Sequence, residues 1–230
     1  MVDSLTKAIK LFASGKPIFI YDSHSREDEV DMVYHASFIT YKEIYLLRTV
    51  AGGLICYVMP FEVGRELGLK FMDEILSAIG LRDLATKRLG YGDKPAFSLW
   101  VNYLGVKTGI SDVDRALTIN KLYEVTSLIY NGYVSEGRKK FYEGFMSPGH
   151  VPILMSRGIS SRKGHTELSD ALSRLANLTP ATVITEVLDE GTSMTLGKVK
   201  ELAERLDTVL VDGNDILDAY LRNIHRESPY

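Results

Sequence analysis

The residues best suited to chemistry fall in one short stretch, Tyr21-Asp22-Ser23-His24-Ser25-Arg26-Glu27-Asp28-Glu29-Val30-Asp31. Those eleven residues hold five carboxylates, one Arg and one His. A solvated helix face would dilute such like charges with Lys at i+4 spacing. Here an apolar run, Pro17-Ile18-Phe19-Ile20, precedes the cluster and Met32-Val33 follows it. The cluster therefore reads as a loop pinned between two strands. Carboxylates held so close need a cation, whether a metal, a protonated partner or a charged substrate. An ordinary acidic surface turn is the competing reading. The loop is no EF-hand: counted from Asp22, the third and fifth positions are His24 and Arg26, and the twelfth is Val33.

Four further stretches can carry chemistry. In Ser161-Arg162-Lys163-Gly164-His165-Thr166-Glu167, two cations and a Gly precede Thr166, a candidate N-cap. The free N–H groups and positive end of a helix start suit a phosphate, and His165 could bind a metal or move a proton. A basic loop before a capped helix explains the same residues. Ser147-Pro148-Gly149 reads as a tight turn, after which His150 opens a strand. Thr108-Gly109-Ile110-Ser111-Asp112-Val113-Asp114-Arg115 is either a second anion-binding turn or a plain helix cap. Glu186 sits late in the apolar strand Val183-Ile184-Thr185-Glu186-Val187. It is exposed at the strand end or tuned as a general acid or base. Cys56 reads on physical grounds as buried packing. No Walker A loop, Gly-x-Ser-x-Gly elbow, His-Glu-x-x-His or Gly-x-Gly-x-x-Gly occurs.

The elements that must position these residues alternate along the chain. Apolar spacing predicts helices over 1–14, 113–130, 166–178, 195–206 and 215–224, with shorter ones after Thr40 and Pro60. Strands are predicted over 17–21, 32–39, 54–58, 96–101, 151–155, 181–187 and 208–211. Residues 70–95 are weakly patterned, and 131–144 are polar and glycine-punctuated. The strands are near-continuous apolar runs, as in a sheet covered on both faces. The two strands flanking the acidic loop imply some antiparallel pairing, hence a mixed sheet in an α/β (or α+β) fold. With no repeat, linker or composition shift, the expectation is one domain over 1–230.

The totals narrow the function classes. A length of 230 residues can bury a full core. A net charge of −3 and 25% charged residues give no global drive toward nucleic acid or membrane. There is no 18-residue apolar run, and residues 1–14 read as a helix rather than a signal peptide. The single Cys excludes an intramolecular disulfide framework and a cysteine zinc site. A cytoplasmic protein is expected, and the absence of Gln beside plentiful Glu, Lys and Arg hints at a thermophile.

Six pieces taken in order resemble the 3,4-dihydroxy-2-butanone 4-phosphate synthase family of riboflavin biosynthesis. They are Tyr21-Asp22 with Arg26 to Asp31, Ala51-Gly52-Gly53-Leu54-Ile55-Cys56, Thr108 to Ala116, Ser147-Pro148-Gly149-His150-Val151, Arg162 to Glu167, and Glu186. The resemblance implies a monofunctional enzyme with a three-layer α/β/α fold and a twisted sheet. Its reaction is the conversion of ribulose 5-phosphate to 3,4-dihydroxy-2-butanone 4-phosphate and formate. It implies Mg²⁺ or Mn²⁺, two per site, with Glu27 and His165 as ligands, and a homodimer with sites near the interface. Arg26, Glu27, Asp31, Cys56, Thr108, Arg162, Lys163, Gly164, His165, Thr166 and Glu186 would meet the substrate, and His150 and Glu186 would be indispensable. Deprotonation beside a carbonyl gives an enediolate, and the later loss of water and formate also needs proton carriers. Glu29 or Asp31, with Asp22 nearby, would fill those roles, and Glu186 a later one. The family usually has Gly or Asn where this chain has Asp28, and Thr or Gly where it has Val30. The alternative is a relative of the same fold that binds a phosphate ligand, nucleotide or RNA without this activity; RNA would need a basic stripe that the chain lacks.

Overall fold

The computed structural model describes residues 3–88 and 90–227. Met1 and Val2, part of the expected first helix, and residues 228–230 of the expected domain lie outside them. A seven-stranded mixed sheet, in the order β4-β5-β3-β6-β2-β1-β9, runs through the molecule. Its strands are β1 (Ile18–Tyr21), β2 (Val30–His35), β3 (Cys56–Met59), β4 (Phe97–Tyr103), β5 (Phe145–Met155), β6 (Thr182–Glu186) and β9 (Leu210–Asp212). A two-stranded ribbon of β7 (Leu188–Asp189) and β8 (Thr192–Ser193) follows β6. Neighbours pair antiparallel except β3 with β5 and β1 with β9.

Strand periodicity sorts side chains onto two faces. Phe19, Met32, Tyr34, Tyr57, Met59, Ile153 and Val183 join one core. Ile18, Ile20, Val33, Cys56, Val58, Leu154 and Ile184 join the other. The first core is roofed by α2 (Tyr41–Leu46), α3 (Phe61–Glu66), α6 (Asp112–Tyr130), α7 (Val134–Gly144) and α9 (Leu196–Arg205). The second packs on α1 (Ser4–Ala13), α8 (His165–Leu175) and α10 (Gly213–Glu227). This is the expected three-layer α/β/α arrangement. Among the described residues, no helix is long and apolar enough to cross a membrane.

Local chemistry sets the start of α2. Thr40 caps α2 in a reciprocal box: Lys42 N–H donates to Thr40 Oγ1 (3.2 Å), and Glu43 Oε2 accepts the Thr40 N–H (2.8 Å). Four expectations change. The weakly patterned 70–95 contains two short helices, α4 (Met72–Ala78) and α5 (Arg82–Ala85), neither of which buries a residue. The polar 131–144 is mostly helix α7, whose Gly137 lets the helix press on Ile129 of α6. Thr166 lies inside α8, and the N-cap is Gly164, without a side-chain cap bond. Ser147-Pro148-Gly149 is no simple turn before a strand, because β5 already begins at Phe145. Asn102 pairs with Met146 while its neighbour Val101 pairs with Val151, so residues 147–150 bulge from the ladder.

Candidate active site

The acidic loop closes the β1–β2 hairpin and is built around Asp22. Its buried carboxylate accepts Arg26 Nη1 (2.9 Å), Glu27 N–H (3.0 Å) and Glu29 N–H (3.1 Å). Both oxygens are thus committed to folding the loop. Asp28 occupies the left-handed region at φ +57°, which Asp and Asn tolerate better than most side chains. Its carboxylate accepts Tyr21 Oη–H (2.6 Å) and pairs with His24 Nδ1 at 3.1 Å. A Gly or Asn at this position in the resembling family meets the same backbone demand. Asp28 is therefore a turn-former, and it is not among the residues that line the pocket beside Glu27.

His165 enters from the start of α8. Its Nε2–H donates to the Glu29 carbonyl at 3.2 Å, which turns Nδ1 toward Glu27 (3.3 Å) and Asp31 (3.5 Å). Burial favours the neutral ring, but Asp31, Glu27 and Asp22 overcome it and raise the His165 pKa to about 9. Burial also works to raise Glu27, yet His165 and Arg26 hold it down at about 2. Asp31, 3% exposed, goes the other way: burial pushes it up to about 7 against the pull of His165, with Glu186, Glu27 and Glu29 adding to the rise. Its Oδ1 is buried without a hydrogen-bond partner. A ligand atom from each of Asp22, Glu27 and His165 lies within 4.8 Å of the others. Hard carboxylate oxygens and one imidazole, held by a backbone carbonyl so that Nδ1 faces those carboxylates, suit Mg²⁺ or Mn²⁺, so the residues fit the expected ion.

Sheet register supplies the rest of the acidic floor. Asp31 pairs with Glu186 and Cys56 with Ile184, all facing the α8 layer. Glu186 Oε2 accepts the Leu54 N–H (2.8 Å), and Gly53 is required there because a Cβ would sit 2.4 Å from that same oxygen. Burial, then the charges of Glu186 and Asp31, push the Cys56 thiol up, so it stays protonated and inert. These side chains line a cavity of about 200 Å³ with Tyr91, Pro95, Phe97, Leu154, Arg162 and Thr166. Tyr91 and Asp93 escape the sequence reading, although an aromatic and an acid interleaved with two glycines were a signal. Asp93 accepts from Arg26 Nε (3.0 Å), and the Arg26 guanidinium lies 5.2 Å from the Tyr91 ring centre.

The cationic rim converges on Gly164. A Cβ there would meet Arg162 Nη1 at 2.3 Å and Arg26 Nη2 at 2.6 Å. Arg162 is aimed by the fully buried Glu167, which accepts its Nη1–H at 2.6 Å and the Arg157 N–H at 2.9 Å. Arg26 Nη2 and Arg162 Nε are buried donors without partners, beside a helix start that no side chain caps. Lys163 is exposed at the same corner.

Three expected residues stand elsewhere. Glu29 turns its carboxylate to Ser193 Oγ on β8 and is not among the cavity-lining residues. Thr108 and His150 are exposed and lie away from the cavity wall. His150 is four residues before Leu154 on β5, roughly 13 Å at strand rise. Thr108 N–H and Gly109 N–H donate to Asp114 (3.1 and 3.0 Å), which backbone donors hold down at about 2.

An acidic floor, one imidazole and an arginine rim on such a sheet define an enzyme for a small phosphorylated substrate. The family model for 3,4-dihydroxy-2-butanone 4-phosphate synthase matches residues 6–219. A relative of that name from Methanosarcina mazei is 38% identical over 95% of this chain and 92% of its own. One from Archaeoglobus fulgidus is 36% identical over 96% and 95%. A solved 3,4-dihydroxy-2-butanone 4-phosphate synthase in complex with two magnesium ions superposes with a TM-score of 0.74 at 24% identity, over 94% of this chain and 96% of that one. The chain belongs to the 3,4-dihydroxy-2-butanone 4-phosphate synthase family. It converts ribulose 5-phosphate to 3,4-dihydroxy-2-butanone 4-phosphate and formate in riboflavin biosynthesis.

Proposed function

We propose that this conversion depends on a divalent cation held by Glu27 and His165, and that Asp31 takes the first proton from the sugar phosphate. The carrying observation is that the buried His165 Nδ1 and a buried Asp31 oxygen that makes no hydrogen bond face each other at 3.5 Å. A relative solved in complex with two magnesium ions supports Mg²⁺; we take two ions per site, with Mn²⁺ as a substitute. When bound, the cation supplies positive charge for the oxygens of the enediolate.

The side chains divide the remaining work. Arg162, the first turn of α8 with Gly164 and Thr166, and Lys163 hold the phosphate, while Arg26 supplies its free Nη2–H at the same corner. Asp31 is chosen over Asp22 because both Asp22 oxygens already accept N–H groups. It is chosen over Glu29 because Glu29 faces Ser193. Glu186, opposite Asp31 in register, returns a proton in a later step. Cys56, on β3 across β6 from Asp31, adds an apolar wall to the cavity.

Thr108 and His150 belong to the reaction through a second copy. Exposed apolar residues accompany them: Leu104, Ile110 and Val113 flank Thr108 in sequence, and Trp100 and Met146 border the bulge of His150. A face of that kind suits a homodimer in which each copy lends His150 and Thr108 to the other's cavity. A cytoplasmic enzyme acting as one domain over 1–230 goes with this reading.

The test is formate release from ribulose 5-phosphate by chelator-treated protein. Turnover should vanish and return on adding Mg²⁺; undiminished turnover without metal ends the proposal. Asp31→Asn should also stop exchange of the substrate proton beside the carbonyl with solvent deuterium, and persisting exchange would move the first base elsewhere.

A further inference from the structure

Asn102 lies outside the cavity and outside every motif above, yet His150 is mounted on it. Residues 147–150 leave the β4–β5 ladder and are pinned back at three points. Ser147 Oγ–H donates to the Trp100 carbonyl (2.9 Å). Gly149 lies so close to β4 that a Cβ would fall 2.0 Å from the Val101 carbonyl carbon and 2.2 Å from the Asn102 nitrogen. The His150 N–H donates to Asn102 Oδ1 at 2.8 Å.

That last bond settles the amide's orientation, because a backbone N–H requires an oxygen opposite it. The amide is also held from its other side. Gly109, at φ +97°, packs so tightly that a Cβ would lie 2.3 to 2.5 Å from the Asn102 amide atoms. His150 Nδ1 then lies 3.1 Å from Asn102 Nδ2 and 3.2 Å from Oδ1. With Oδ1 already accepting the backbone N–H, the amide NH₂ needs an acceptor, and Nδ1 is in place for it. A proton on Nδ1 would turn instead to the second lone pair of Oδ1 and leave the amide NH₂ facing the ring without its acceptor. Asn102 is 7% exposed, so little water competes for its amide, whereas His150 is exposed.

We propose that Asn102 is a positioning residue that holds the His150 imidazole with its proton on Nε2, presenting that N–H as the donor for the substrate. The Nε2 atom has no protein partner among the described residues, as a group reserved for a ligand requires. The seat also includes the Thr108–Gly109 turn, so one amide sets two outward groups in fixed relation. The inference rests on the reading that His150 acts on substrate, and the experiment separates the two.

Histidine labelled with ¹⁵N reports the tautomer directly, and His150→Gln assigns the signal. In the wild-type protein His150 should carry its proton on Nε2, with Nδ1 as acceptor. Asn102→Asp places a carboxylate against Nδ1 and should transfer the proton there, with kcat falling tenfold or more and KM within about twofold. Asn102→Ser, short of the ring, should leave the two tautomers exchanging. A wild-type His150 protonated on Nδ1, a measurement that needs no variant to fold, would overturn the proposal, as would an unchanged tautomer in Asn102→Asp. Full turnover by His150→Gln would instead overturn the catalytic reading beneath it, whatever the spectra show.

Discussion

At the scale of single residues, neighbouring carboxylates do unlike work because their surroundings differ. Asp22 folds the loop, Glu27 and Asp31 face His165, and Asp28 holds a left-handed turn. Asp28→Gly should keep kcat and metal dependence and change stability by less than about 1 kcal/mol. Asp28→Val, β-branched at positive φ, should cost about 2 kcal/mol or more in denaturant titration. A second acid, Asp170, lies outside the cavity lining. Burial pushes it up to about 6, partly offset by Arg174 and by the Ser156 hydroxyl. Between its unfolded value near 3.8 and about 6, the native state binds more protons than the unfolded chain. Stability from this group is therefore highest at low pH and declines as pH rises through that window. Asp170→Asn should be relatively more favourable at pH 7 than at pH 4, by roughly 2 kcal/mol in parallel melts. A constant difference across that range would refute the assignment.

At the scale of elements, the sequence shows which pieces matter better than it shows where they meet. The acidic loop between strands and the basic start of α8 are legible from charge and apolar spacing. The pairing of Asp31 with Glu186, 155 positions apart in sequence, is not, because register follows from packing along β2 and β6. Ser193 goes unread for a similar reason: only the ribbon's fold-back brings it to Glu29. Tyr91 and Asp93 lie in a segment whose helices bury nothing, so no apolar period marks it. The N-cap of α8 is the instructive miss. A Thr suggested itself, but Gly164 is needed where two guanidinium groups close on the backbone. Gly164→Ala should push those groups apart and raise KM for ribulose 5-phosphate about tenfold, about 1.4 kcal/mol of binding, with only a small loss in melting temperature. Unchanged KM would place the phosphate elsewhere.

At the scale of the whole molecule, the cavity and the His150–Thr108 face are separate features of one chain. If two copies complete each other, inactive Glu27→Gln and His150→Gln proteins should rescue one another. After equal mixing and subunit exchange, roughly a quarter of wild-type activity should return, since half the dimers are mixed and each has one intact composite site. No recovery after demonstrated exchange would confine the chemistry to a single chain.

The thiol of Cys56, 2% exposed on the cavity wall, has a use outside the reaction. It is the chain's lone cysteine, so any thiol-directed label can attach at one place only. Burial keeps it protonated, so a reagent must wait until the sheet opens at β3. The protein thus carries its own stopwatch. The rate of alkylation in the native state reports how often the floor beneath the substrate breathes, and Mg²⁺ with substrate should slow it in proportion to how tightly they hold that floor shut.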